Sequence, residues 1–317
     1  MTTRSTSGPT SGSAPGSTTL GEAVATLRAR LLEAGFADAA IEARLLIGGL
    51  LQLSNTQVFV GGDRVLRAAE IEKIEEAIAR RLKHEPVHRI LGRREFHGLE
   101  LLISSETLEP RPDTEVLVDS LIGCAHAPQR QDIRILDLGT GTGAIILALL
   151  DALPEATGVG SDISADALAT AQENARRLGL SERFSAVNSH WFDRIEGRFD
   201  IIVSNPPYIR SDVIPGLEPE VREFDPIAAL DGGADGLSAY REIAERASEF
   251  LEPGGYVGME IGFDQKETVT ALFVASGFEL SKAQCDYGGN DRALIFTRLA
   301  FDVAEQKKKL GIAKEAG

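Results

Sequence analysis

Cysteine is nearly absent: of 317 residues only Cys124 and Cys285 are cysteine, far apart and without a Cys-x-x-Cys pair. That excludes a disulfide framework and a Cys/His cluster at metal-ligand spacing, and no metal is expected. The two thiols are expected to be small buried fillers, one in a helix and one in a strand. A reducing, cytoplasmic compartment suits them. Long apolar runs are missing as well. No stretch of about 18 apolar residues could span a bilayer, so no membrane partner is expected. The first nineteen residues are almost entirely Thr, Ser, Gly, Pro and Ala, with no basic start and no apolar core, so no secretory signal is expected. Basic charge is in deficit too. Lys and Arg number 33 against 48 Asp and Glu, and the net charge of −15 repels a phosphate backbone. Direct nucleic-acid binding is disfavoured, and Arg89, Arg93, Arg94 and the Lys307–Lys309 run read as solvated faces.

What is present suffices for one large α/β domain and a smaller one. Residues 1–19 lack large apolar side chains and are expected to be a disordered arm. Residues 20–85 read as a helical domain, because Leu20, Val24, Leu27 and Leu31, then Ile41, Leu45 and Leu46, then Ile71, Ile74, Ile78 and Leu82 recur at helical spacing. Three helices are expected there. Pro86 is expected to stop the last, and residues 86–108 to form a bridging β-hairpin, with Val87–Ser104 extended and broken at His97-Gly98. Residues 109–300 alternate short apolar runs with amphipathic stretches, the order of a Rossmann-like, mostly parallel sheet with crossover helices. A helix is expected at Asp113–Ala125. Seven strands follow, at Ile133–Leu138, Thr157–Asp162, Phe184–Val187, Asp200–Ser204, Gly255–Ile261, Phe278–Cys285 and Ala293–Leu299. Helices are expected at Ala144–Ala152, Ala165–Leu178, Leu237–Leu251 and Gln265–Ser276. Residues 301–317 form a charged tail expected to be loose, and a monomer is expected.

The first strand of this sheet meets its first helix through Gly139-Thr140-Gly141-Thr142-Gly143. Ligands of doubly wound sheets bind at such carboxyl edges, and glycine lets the backbone approach them. No Lys-Ser or Lys-Thr follows, so this is not a triphosphate cradle. Asp162 closes the second strand, where a carboxylate can accept hydrogen bonds from both hydroxyls of an adenosine ribose. Its bland alternative is a helix cap, a task Ser164 could equally perform. At this point NAD and S-adenosylmethionine both remain open, since Gly139, Gly141 and Ala144 also satisfy the dinucleotide G-x-G-x-x-A pattern.

The buried-strand signature Ile201–Ser204 runs straight into Asn205-Pro206-Pro207-Tyr208. Consecutive prolines make a rigid turn that offers carbonyls without N–H groups. The Asn205 side-chain oxygen and the Pro206 carbonyl can accept both N–H bonds of a planar NH₂ group, while Tyr208 stacks on the plane beside it. An amide nitrogen is a feeble nucleophile; two fixed acceptors aim its lone pair and stabilise charge as it develops on methyl transfer. This favours S-adenosylmethionine as the ligand of the glycine turn.

With Pro86–Leu99, Pro110-Arg111-Pro112-Asp113-Thr114-Glu115 and Ala229–Leu237, these motifs resemble the HemK/PrmC class of protein-glutamine methyltransferases. The likeness runs from Leu20 to Leu299. It implies a class I methyltransferase fold and a helical N-terminal domain. It further implies that Gly139, Thr140, Gly141, Thr142, Gly143 and Asp162 hold S-adenosylmethionine, that Trp191 borders its adenine, and that Asn205 touches it too. The target glutamine, in the Gly-Gly-Gln motif of peptide-chain release factors, would lie against Asn205, Pro206, Pro207 and Tyr208. An indole just after the third strand independently suits a purine. Two departures, His88 for an aromatic and Glu109 for an aliphatic, leave the reaction type intact. Arg111 either positions a substrate loop or pairs with an acid such as Glu115. The rival reading is a nucleic-acid adenine amino-methyltransferase, whose NH₂ would fit the same acceptors but whose phosphates the acidic chain would repel.

Overall fold

A computed structural model describes residues 17–125 and 132–298. The expected arm, except Ser17–Thr19, and the expected tail 301–317 lie outside the described residues. The chain divides into two compact units, one ending at Leu91 and the other starting at Gly92.

The first unit is helical. Its main helices are α1 (Leu20–Glu33), α2 (Ala39–Leu51) and α4 (Ala68–Arg81), with two short ones, α3 (Asn55–Val60) and α5 (Val87–Leu91). Thr19 opens α1 through a capping box, its hydroxyl accepting from Glu22 N at 3.2 Å while Glu22 accepts from Thr19 N at 2.8 Å. Leu20, Leu27, Leu31, Leu46, Ile47, Ile74 and Ile78 make one buried core. Ile41 is exposed, so α2 buries Ala39, Ala43, Leu46 and Ile47 instead. The two short helices correct the three-helix expectation. Six- and five-residue helices show too little periodicity to read, and α3 is set by its own Ser54/Gln57 capping box. Pro86 starts α5 where it was expected only to end a helix: Ile90 N donates to the Pro86 carbonyl at 3.0 Å, a role proline suits in a first turn. Extended chain therefore begins only at Arg93.

The second unit opens with the hairpin β1 (Arg93–Phe96) and β2 (Leu99–Leu102). His97 at φ 49° and Gly98 at φ 78° both take left-handed backbone, as a two-residue type I′ turn requires. Helix α6 (Glu115–Ala125) follows. Then come β3 (Arg134–Leu138), α7 (Ala144–Ala152), β4 (Thr157–Asp162), α8 (Ala165–Arg177), β5 (Phe184–Asn188), β6 (Phe199–Ser204) and the single turn α9 (Pro219–Arg222). The unit closes with α10 (Ser238–Phe250), β7 (Leu251–Glu260), α11 (Lys266–Ala275), β8 (Phe278–Cys285) and β9 (Asp291–Arg298). The seven-stranded sheet has the order β5-β4-β3-β6-β7-β9-β8, parallel except where β9 runs against both neighbours.

Period-two alternation feeds two cores. Ile135, Ile201, Val203, Ala293 and Ile295 face one layer, which includes α6 and α7; Leu136, Ile202, Val257, Leu294 and Phe296 face the other, which includes α10 and α11. Helix α7 is buried continuously from Ala144 to Leu150, which is why its sequence is apolar all round. Cys124 is half-buried in α6 but Cys285 is exposed at the end of β8, so the filler reading fails for Cys285. Among the described residues, no helix is long and apolar enough to cross a membrane.

Candidate active site

The sheet order reverses between β3 and β6, and the glycine turn and the proline turn leave these adjacent strands at the same edge. The Ser204 hydroxyl donates to the Leu138 carbonyl at 2.7 Å and clamps the two strand ends together.

In the glycine turn, Gly139, Gly141 and Gly143 sit at φ 70°, 55° and 80°, which L side chains rarely adopt. Nothing lies within 4 Å of where a Gly141 Cβ would stand, so the bare backbone fronts open space. The N–H groups of Gly139 and Thr140 both donate to Ser161 O, at 2.8 and 2.9 Å. Below the turn, the Thr140 hydroxyl donates to Asp137 at 2.8 Å. Burial pushes the Asp137 carboxyl up to about 7, against the opposing pull of the Thr140 hydrogen bond. Asp162 ties loops together: Oδ2 accepts from Gly141 N at 3.0 Å and Oδ1 from Ser164 N at 2.9 Å. Capping α8 falls to Ser164, whose hydroxyl accepts from Ala167 N.

The proline turn is pinned from behind. Ile209 N donates to Leu230 O at 3.0 Å and Gly232 N to Ile209 O at 2.8 Å. Gln265, buried at the start of α11, donates to the carbonyls of Tyr208 and Gly236 at 3.1 and 3.2 Å. Its own Oε1 accepts from Gly262 N at 3.0 Å. The Asn205 amide donates from Nδ2 to Thr114 Oγ1 at 3.3 Å, which leaves Oδ1 as its acceptor on offer. Burial pushes the Tyr208 phenol up to about 12, so it stays protonated.

One cleft of about 480 Å³ gathers Gly139, Gly141, Asp162, Trp191, Asn205 and Pro207. That size suits a small organic ligand. Thr140 and Thr142 are buried under the glycine turn, Pro206 is buried beside Asn205, and Tyr208 packs partly against the core on the α10 side. These four, with Gly143, are not part of the cleft wall. Trp191 holds a left-handed φ of 42° at the rim.

Several wall residues escape motif reading. Ile163 is 58% exposed directly after Asp162, an apolar side chain at a polar edge, and that adjacency was the available signal. Glu106, Leu108, His190 and Glu242 arrive from separate segments and carried no signal. Arg111 pairs with buried Asp225 at 2.6 Å, whereas Glu115 accepts from His97 N instead. Arg94 is mostly buried and pairs with Glu109, which accounts for an acid at that position and corrects the solvated-face reading of Arg94.

Comparison with known proteins bears on the same residues. The family described as PrmC N-terminal domain matches residues 22–92, and the methyltransferase small domain family matches residues 113–214. A release factor glutamine methyltransferase of Agrobacterium fabrum is 55% identical over 285 residues, 89% of this chain and 99% of that protein. One of Bradyrhizobium diazoefficiens is 45% identical over 271 residues, 85% and 91% of the respective chains. Among solved structures, the release factor-specific protein-(glutamine-N5) methyltransferase of Alicyclobacillus acidocaldarius is 30% identical. It covers 60% of this chain and 93% of that one, with a TM-score of 0.37.

Proposed function

This chain belongs to the release factor glutamine methyltransferase family, and from that premise we infer that it methylates the side-chain amide nitrogen of the Gly-Gly-Gln glutamine in peptide-chain release factors. The methyl donor is S-adenosylmethionine. The observation that carries the reading is the single cleft joining the Gly141–Asp162 edge to the Asn205–Pro207 edge across neighbouring strands.

The donor side fits an adenosyl ligand. Gly141 leaves open space where a side chain would project. Each Asp162 oxygen accepts one backbone N–H and retains capacity for a ribose hydroxyl. Exposed Ile163 and rim-lying Trp191 offer apolar faces to a purine. Gly139, Thr140, Thr142 and Gly143 shape this edge from the turn and beneath it. When bound, S-adenosylmethionine would supply an electrophilic methyl group on its sulfonium, its S–CH3 bond breaking as the N–CH3 bond forms, with S-adenosylhomocysteine as leaving group and one amide N–H proton released.

On the acceptor side, Asn205 Oδ1 takes one N–H bond of the glutamine amide, and the other is assigned to the carbonyl of Pro206, whose ring lies buried behind the wall formed by Asn205 and Pro207. Pro207 and Tyr208 keep these acceptors still, with the Tyr208 carbonyl tied to Gln265. Fixing the amide hydrogens directs the nitrogen lone pair out of conjugation and towards the donor side. It also offers negative ends of dipoles to the charge that develops.

The test is incubation with isotopically labelled S-adenosylmethionine and either folded release factor, the same factor with its Gly-Gly-Gln glutamine replaced, or duplex DNA. Label is expected in the intact factor alone. Label in DNA, or equal label in the replaced factor, would sink the reading. Asn205→Ala should lower kcat by about 10²-fold or more, the scale for losing one preorganised polar group, with cofactor affinity little changed in calorimetry.

A further inference from the structure

Behind Asn205 lies a carboxyl group for which the methyl-transfer reading has no use. Glu260 ends β7, the strand beside β6, and follows Met259, which pairs with Ser204. It is 2% exposed, and its Oε2 has no hydrogen-bond partner. Thr114 and Asn205 lie beside this carboxyl, and both draw its pKa down against burial. Asn205 Nδ2 donates to Thr114 Oγ1 at 3.3 Å, so Thr114 is the group through which the buried carboxyl can act on the Asn205 amide. Among the described residues, no cation makes a direct ion pair with Glu260. Arg292 is the nearest favourable charge, but it is engaged by Asp286 at 3.1 Å and faces Asp113 at 3.7 Å. The Tyr240 hydroxyl donates to the backbone oxygen of Glu260, not to its side chain. A buried, incompletely satisfied acid is an expensive filler for a space that glutamine or leucine could occupy.

What an ionised carboxylate has that glutamine lacks is polarity of one kind: it only accepts. A primary amide is nearly symmetric in shape, and rotating it by half a turn exchanges its acceptor for its donors. Flipped, Asn205 would present two N–H bonds to the glutamine NH₂ and no acceptor. We propose that Glu260 is a positioning residue for Asn205: by accepting the Thr114 hydroxyl proton it obliges Thr114 Oγ1 to accept from Asn205 Nδ2, which turns Oδ1 towards the substrate amide. This rests on the glutamine-methylation reading and assigns it a device for aiming its principal acceptor.

The chain also has a reverse setting. A protonated Glu260 can donate to Thr114, whose own hydroxyl proton is then released to donate to Asn205 Oδ1, and the flipped amide becomes allowed. Burial pushes Glu260 up to about 7; the Thr114 bond, Arg292 and the Asn205 bond pull it down, and Asp113 adds to the rise. The phenols of Tyr208 and Tyr240 also face this carboxyl, both pushed up by burial and so uncharged through the neutral range. Glu260 is therefore the group in this network that titrates near neutrality, and turnover rises as it ionises.

The experiment measures kcat, KM for release factor and cofactor affinity from pH 5.5 to 9 for wild type, Glu260→Gln, Thr114→Val and Asn205→Ala. Wild type is expected to gain activity through an inflection near pH 7 set by Glu260. Glu260→Gln should lose the inflection and retain a lower, level kcat, since its carbonyl still accepts from Thr114 but no longer enforces the direction. Thr114→Val, which severs the chain while keeping its volume, should lower kcat by up to about 10²-fold, the scale of a misplaced reacting group. Cofactor affinity and KM for release factor should hold in both variants, which separates misdirection from unfolding. An inflection that survives in Glu260→Gln, or wild-type kcat in Thr114→Val, overturns the positioning role while Asn205→Ala remains inactive. A wild type that never labels the factor's glutamine overturns the reading beneath it.

Discussion

Asp162 and Asp137 are carboxylates at opposite faces of one turn, and their surroundings give them opposite duties. Asp162 accepts one backbone hydrogen bond on each oxygen and has further acceptor capacity facing the cleft, which the proposed function assigns to the cofactor. Asp162→Ala should therefore weaken S-adenosylmethionine binding by on the order of tenfold, the worth of a charged hydrogen bond; calorimetry finding an unchanged affinity would remove it from the binding site. Asp137 is buried with Oδ1 unpartnered, and its folded pKa of about 7 exceeds the unfolded value of about 4. Between those values the folded state holds the extra proton, so this group's contribution makes stability fall as pH rises from about 4 to about 7 and stay level above. Asp137→Asn abolishes that loss. Its melting temperature relative to wild type should be higher at pH 8 than at pH 4.5, and a pH-independent difference would show that Asp137 does not titrate in this window. At this scale the residues legible beforehand were those whose chemistry sits in one contiguous motif. Thr114, Gln265 and Glu260 come to the proline turn from distant segments, and only folding makes them neighbours.

Elements were legible in proportion to their length and burial. Strands β3 and β9, and β6 from Ile201 onward, alternate between two cores, and α7 is apolar on every side, so their patterns announced themselves. The His97-Gly98 turn was readable because left-handed backbone favours those residue types. Helices α3 and α5 were not, because local caps rather than an apolar stripe define them. The segment after the proline turn shows what sequence hides. Gly236 sits at φ 74°, and a Cβ there would stand 2.5 Å from the Tyr208 carbonyl oxygen. Gly236→Ala should push Tyr208 off its bond to Gln265 and lower kcat by about tenfold or more through misalignment. Cofactor affinity should be untouched, because the glycine turn lies on another strand. Equal losses in kcat and affinity would mean that the two turns deform together.

For the molecule as a whole, acidity and self-sufficiency of the cleft matter most. A net charge of −15 makes the average long-range field repel a phosphate backbone, and direct nucleic-acid binding is not expected. Added duplex DNA or RNA at low salt should therefore leave release-factor methylation unchanged, and competitive inhibition would contradict that. The cleft residues Gly141, Asp162 and Asn205 all lie in one unit of the chain, and a monomer is the expected state. Light scattering should return the 34.0 kDa of a single chain at working concentration, and a concentration-dependent larger mass with matching activity would argue for assembly.

The Ser204–Leu138 clamp has a consequence for how such an enzyme can change. The glycine turn and the proline turn ride on paired neighbouring strands of one sheet, about 4.8 Å apart, as on a single plank. On the proposed function, the gap that a carbon atom must cross is set by this strand pairing rather than by domain motion. Adaptation to a new recipient has to proceed by rebuilding the rim around residues 210–231 while the plank stays as it is.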